Sequence, residues 1–169
     1  MNRMIPMAAM TLAAASLVAC ASIPESGGAG YGDGGPDYSA RPAYGSMSLS
    51  AGFANDPRVV TLRAGGNIDA RTLHSHCRGF IARAPDVRVH YNAGSLPLII
   101  SVDSASDTTL VINGPDGSWY CDDDGGVNGL NPSVRFNPPQ SGQYDIWVGT
   151  YESGALQSAQ LHISELGSQ

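Results

Sequence analysis

Strict alternation of apolar and polar residues over short runs is the feature that most narrows what this chain folds into. Val87, Val89 and Tyr91 alternate with Arg88 and His90. Leu96, Leu98, Ile100 and Val102 share one face of a second run, and Leu110-Val111-Ile112 is a short β-branched run. Tyr144, Ile146 and Val148 alternate with Asp145 and Trp147, as Ala159, Leu161 and Ile163 do with Gln160 and His162. A period of two marks a half-buried antiparallel strand, whose side chains point to opposite faces in turn. Outside the N-terminal segment no helical period persists. Turn clusters such as Asn113-Gly114-Pro115-Asp116-Gly117 separate the runs. The pattern predicts an all-β chain with one antiparallel β-sandwich or jelly-roll domain over residues 53–169.

Charge removes one class of function. The 169 residues hold nine Arg, no Lys and fifteen acids, a net charge of −6. Phosphate binding needs a basic footprint, so no nucleic-acid partner is expected. The charges are segregated: residues 58–90 hold six Arg and two acids, whereas residues 101–169 hold nine acids and only Arg135. In a sandwich these halves are expected to pair across the fold.

The N-terminal segment reads as an address. Residues 4–18 are apolar except for Pro6, Thr11 and Ser16. Such a run is shorter than the about 20 residues a membrane-spanning helix needs and has the length of a secretory signal. It ends in Leu17-Val18-Ala19-Cys20, which resembles the lipobox of bacterial lipoproteins. That resemblance implies removal of residues 1–19 and lipidation of Cys20. It also implies a membrane partner engaged through the lipid. One acyl chain binds a membrane only marginally, so stable anchoring takes two or more. Ala21 rather than Asp after the Cys implies the outer membrane, with the domain facing the periplasm or the surface. Residues 20–52 are expected to be the lipidated Cys and a flexible linker. Seven Gly and three Pro fall within residues 21–45, too few bulky apolar groups to offset the entropy of ordering.

With Cys20 lipidated, Cys77 and Cys121 remain. An even pair in an exported chain predicts a disulfide. It is expected to link one strand over 77–82 to another over 118–121. Closing a loop of about 45 residues contributes roughly 4 kcal/mol in the chain-entropy account.

Downstream, a set of weak signals comes in order. They are Asp107-Thr108-Thr109-Leu110-Val111-Ile112, Pro115-Asp116-Gly117, Cys121-Asp122-Asp123-Asp124, Asn131-Pro132 and Ser141-Gly142-Gln143-Tyr144-Asp145-Ile146-Trp147-Val148-Gly149. Together they resemble the bacterial pre-peptidase C-terminal domain over about 105–150. The resemblance implies a β-sandwich module without catalytic residues, of a kind usually appended to secreted peptidases and implicated in secretion, substrate binding or targeting. Some members bind calcium. No peptidase is attached in this sequence.

Two groups of residues are candidates for a site. Asp116, Asp122, Asp124 and Asn128 form an oxygen-rich, Gly-flanked stretch that a calcium ion would suit, although the alternating Asp and closing Glu of an EF-hand are absent. The competing reading is turn closure by Asp side chains on backbone amides. Trp119, Trp147 and Tyr151 are candidate ligand-binding aromatics. Trp147 lies out of phase with Tyr144, so burial of Tyr144 would leave Trp147 exposed, where rings stack on sugars or peptides; the competing reading is that these aromatics pack in the core of the second sheet.

Catalytic constellations are weak. His74-Ser75-His76-Cys77 resembles the His-Cys step of trypsin-like peptidases, but Gly32-Asp33-Gly34-Gly35-Pro36 lacks the Ser of their nucleophile loop and precedes the His. A triad needs nucleophile, base and orienting acid in contact, and no Gly-x-Ser-x-Gly occurs. His74 and His76 would share one strand face and are two zinc ligands without a third. The sequence therefore predicts a non-enzymatic, lipid-anchored envelope module that binds protein, peptide or glycan, with calcium as the one cofactor to consider. The alternatives are an accessory domain for a separately encoded secreted serine peptidase, or an envelope hydrolase with an unrecognised site.

Overall fold

A computed structural model describes residues 34–169. The signal, Cys20 and the first part of the expected linker lie outside the described residues. Eleven strands follow in order: β1 (Ser46–Ser50), β2 (Arg58–Ala64), β3 (Ile68–Asp69), β4 (Phe80–Ile81), β5 (Val87–Asn92), β6 (Leu98–Asp103), β7 (Thr108–Asn113), β8 (Trp119–Asp122), β9 (Ser133–Phe136), β10 (Gly142–Thr150) and β11 (Gln157–Ser164). One turn of 3-10 helix, Ala70–Thr72, interrupts them. The expected all-β sandwich is borne out.

In the first sheet β1, β5, β10, β7 and β8 lie side by side, with β4 on the end of β10 and β3 beyond it. The second sheet runs β2-β11-β6-β9. Every pairing is antiparallel except β1 with β5. The period-two residues do what alternation requires. Val87, Val89, Tyr91, Leu110, Ile112, Tyr144, Ile146 and Val148 face Leu98, Ile100, Val102, Leu161 and Ile163 across one core. Leu96 departs from its run. It precedes Pro97 and is exposed instead of joining Leu98.

Two features upstream differ from the sequence reading. The fold begins at β1, inside the segment assigned to the linker. Residues 37–44 are also tied down: the Asp37 amide donates to Arg83 O at 2.7 Å, Ala43 to Pro85 O at 2.8 Å and Tyr44 to Asp86 O at 2.8 Å. Arg88 reaches back to the carbonyls of Tyr38 and Ala40. A Gly- and Pro-rich composition disfavours regular structure, yet backbone bonds to residues 83–86, between β4 and β5, hold this stretch in place.

The outer face of the first sheet carries a second core. Ala70, Cys77, Ile81, Val111 and Trp147 are buried there, with Ile68, Leu73, Trp119 and Cys121 packed against them. Trp147 is 0% exposed, so the core-packing reading holds for it and it leaves the set of candidate ligand-binding aromatics. It does point away from Tyr144, but residues 66–81 fold over it. Gly79 lets that segment approach. Its φ is +81°, and a Cβ there would lie 2.6 Å from Thr150 O and from the Thr109 side chain. Cys77 and Cys121 are bonded, with Cα atoms 5.0 Å apart. The disulfide pins the covering segment to β8. Cys77 itself sits in a turn ahead of β4, because the strand expected over 77–82 is cut to two residues.

Candidate functional site

Trp119 and Cys121 stand two residues apart on β8, so both point to the outer face. The Cys121–Cys77 bond draws in the chain that carries Leu73. Trp119 rests on Trp147, ring centroids 5.5 Å apart. Leu73 and Thr72 form one wall beside it, and Gly34, Gly35, Pro36 and Tyr38 form the other. The result is a groove of about 540 Å³ with a mainly apolar and aromatic lining. Tyr38 was hidden in the expected linker. Its aromatic character was visible in the sequence, but its place in the fold was not.

Of the three candidate aromatics, Trp119 and Trp147 are brought into contact and Tyr151 stands apart. Trp119 lines the groove and Trp147 lies beneath it. Tyr151 is exposed on the β10–β11 loop, beside a separate hollow of about 300 Å³ lined by Arg71, Arg78, Gly79, Phe80, Glu152 and Ser153.

The four candidate calcium ligands are separated as well. Asp116 sits on the β7–β8 turn, at the opposite end of that hairpin from Asp122, which pairs with Leu110. Its Oδ1 accepts from the Ser118 amide at 3.0 Å and its Oδ2 from the Tyr120 hydroxyl at 2.8 Å. These bonds hold the carboxyl below the usual carboxylate range. Asp122 Oδ2 accepts from the amides of Gly125 at 2.7 Å and Ser133 at 2.9 Å. Asn128 donates to Asp103 Oδ1 at 3.0 Å. Among the described residues no three His, Cys, Asp or Glu are grouped to hold a metal ion. The arrangement does not fit calcium. Asp116 and Asp122 accept from backbone amides of neighbouring turns and loops, as short acidic residues beside free amides do. Asp107 and Asp123 form a different acidic patch. Burial raises the affinity of both carboxyls for protons, and Asp124 adds repulsion.

His74 and His76 lie in a turn rather than on a strand. Their rings stack 5.1 Å apart, both are exposed, and the His76 amide approaches His74 Nδ1 at 3.4 Å. The opposed charge halves meet in one ion pair, Arg88 Nε to Asp145 Oδ1 at 2.6 Å. Asp86 is the most perturbed carboxyl. Burial pushes it up to about 7, against the pull of the Val148 amide that donates to Oδ2 at 2.7 Å.

Residues 87–150 match the bacterial pre-peptidase C-terminal domain. The match runs from the start of β5 to the end of β10, wider than the 105–150 stretch in which the resemblance was legible. No curated protein matches. A solved structure of the Aeromonas hydrophila protein PliG, a periplasmic lysozyme inhibitor of g-type lysozyme, is 16% identical. That alignment covers 70% of this chain and 96% of that one, with a TM-score of 0.34.

Proposed function

We propose that this chain is a non-enzymatic module, anchored by lipid on Cys20 in the bacterial outer membrane, that binds protein, peptide or glycan in the groove at Trp119. The observation that carries the reading is the groove's chemistry. Among the described residues its lining offers an indole, a phenol, a Leu and exposed glycine backbone, and no carboxylate, imidazole or thiol. Such a surface suits contact with rings and chains, whereas general acid–base work needs a group that exchanges protons near neutrality. Among the described residues no helix is long and apolar enough to cross a membrane.

The test is a tryptophan-fluorescence titration of the full chain with soluble peptidoglycan fragments and with a short-peptide library. Saturable binding that Trp119→Ala abolishes is the expected result. Turnover of either probe would make the protein an envelope hydrolase and end the proposal. For the anchor, Cys20→Ala should move the protein from the membrane to the soluble fraction, and continued membrane association defeats that part. The family match favours one second reading, an accessory to a separately encoded secreted serine peptidase, which co-purification with such a peptidase would establish. Millimolar calcium is expected to leave the melting temperature unchanged. A rise lost in Asp122→Asn would restore the cation to the mechanism.

A further inference from the structure

The two sides of the sandwich are finished differently. On one side β8 and β9 are tied across the sheets, the Ser133 amide donating to Asp122 Oδ2 at 2.9 Å. On the other side β1 and β2 are terminal strands and are not hydrogen-bonded to each other. A groove of about 390 Å³ separates them, lined by Met47, Leu49, Pro57, Arg58 and Val59 among others. We propose that this mouth is a strand-addition site that takes an extended peptide carrying a carboxylate.

The backbone supplies the first argument. Arg88 donates to Gly45 O at 3.2 Å and Ala51 to Asn92 O at 2.9 Å, so the odd-numbered residues of β1 face β5. By the alternation of a strand, the peptide groups of Ser46, Ser48 and Ser50 point the other way. On β2 the Arg63 amide donates to the Tyr44 hydroxyl at 2.9 Å, on the side away from β11. Val59 and Thr61 share that orientation. A side-chain oxygen already satisfies one amide of this edge, which shows the edge open to acceptors. Edge strands are usually blunted by charge, Pro or a bulge. β1 reads Ser-Met-Ser-Leu-Ser and has neither charge nor Pro. A row of N–H and C=O groups at strand spacing is matched by another extended chain.

Charge selects the partner. Arg58 Nε is enclosed and has no hydrogen-bond partner. Among the described residues the ion pairs are Arg71–Asp69 and Arg88–Asp145, so Arg58 is not in one. Arg58 lines the groove, and a carboxylate on the incoming strand supplies a charge-assisted bond to the outer nitrogens of its guanidinium. A second copy of β1 brings no carboxylate. The occupant proposed is an acidic segment of another protein. This site is separate from the groove at Trp119, and either can fail without the other.

The test starts from a random heptapeptide library displayed on phage and selected on the full chain. Selected peptides, made synthetically, are expected to pair an acidic residue with flanking β-branched residues. On binding, they should slow hydrogen exchange at the amides of Ser46, Ser48 and Ser50. Ser48→Pro removes an N–H that the β1–β5 ladder does not use. It should weaken binding at least tenfold, Arg58→Gln several-fold, and Trp119→Ala not at all. If Ser48→Pro melts early, exchange in the unaltered chain decides. Failure to select any peptide, or binders that protect no β1 amide, overturns the proposal. So does a dimer that Ser48→Pro dissolves, which would assign the edge to self-association.

Discussion

The two faces of β10 are buried by different means. On its inner face Tyr144, Ile146 and Val148 meet the opposing sheet. On its outer face Trp147 meets a segment of short strands and turns, held by one disulfide. The inner face is closed by strands that must pair anyway, so its burial follows from forming two sheets. The outer face is closed by chain with little regular structure of its own. Its burial depends on a covalent tie and on glycines that permit close approach. One strand can thus be hydrophobic on both faces without lying in a parallel sheet.

That contrast can be broken most directly at Trp147. Trp147→Ala should cost about 3–5 kcal/mol in urea unfolding, as a fully buried large side chain does. Ile146→Ala, one residue away on the inner face, should cost about 2–5 kcal/mol. A loss at Trp147 below about 1 kcal/mol would show that the outer cluster adds little, since surface changes sit in that range.

Removing the staple comes next. Cys77→Ser with Cys121→Ser should lower stability by about 4 kcal/mol. It should shift tryptophan emission to the red as the cover loosens over Trp147, while strand content by circular dichroism persists. Loss of the whole fold would mean that the two cores are not separable.

Asp86 sharpens the comparison through pH, since its carboxylate caps the Val148 amide where β5 joins β10. Its folded value of about 7 lies above the ordinary 3.8, so between these values the folded state holds a proton that the unfolded state has released. Stability from this group is full below about pH 4. It declines as pH rises toward 7 and stays low above it. Asp86→Asn should therefore raise stability at pH 8 by on the order of 1–3 kcal/mol and change little at pH 4. Parallel melting curves for the two proteins at all pH values would remove Asp86 as the cause.

The smallest stability effect belongs to Trp119. Its ring is half-buried, so Trp119→Ala should change unfolding by about 1 kcal/mol while removing ligand binding in the groove. A loss as large as that of Trp147 would make Trp119 a core residue and not a binding one.

The inner core was legible because one-sided burial leaves a local trace, as Val87-Arg88-Val89-His90-Tyr91 illustrates. The disulfide was legible because the sequence leaves an even pair, Cys77 and Cys121, once Cys20 is set aside as the expected lipid site. β1 was not. Ser46–Ser50 follows a Gly- and Pro-rich stretch, and what makes it a strand is its parallel partner β5, forty residues downstream. Among candidate site residues, Trp119 was visible as an aromatic, but its companion Tyr38 looked like linker. Asp116 and Asp122 looked like neighbours and were placed at opposite ends of a hairpin.

What the order of residues determined by itself is the alternation that makes two sheets, the turns between them and the sulfur available to staple them. These are set by steric and hydrophobic preferences acting over a few residues. Only the folded chain decided which second faces would be covered, which aromatic would stay at the surface, and which strand edge would be left unpaired. Those outcomes depend on segments distant in sequence arriving at the same place, and a local pattern carries no record of what will pack on top of it.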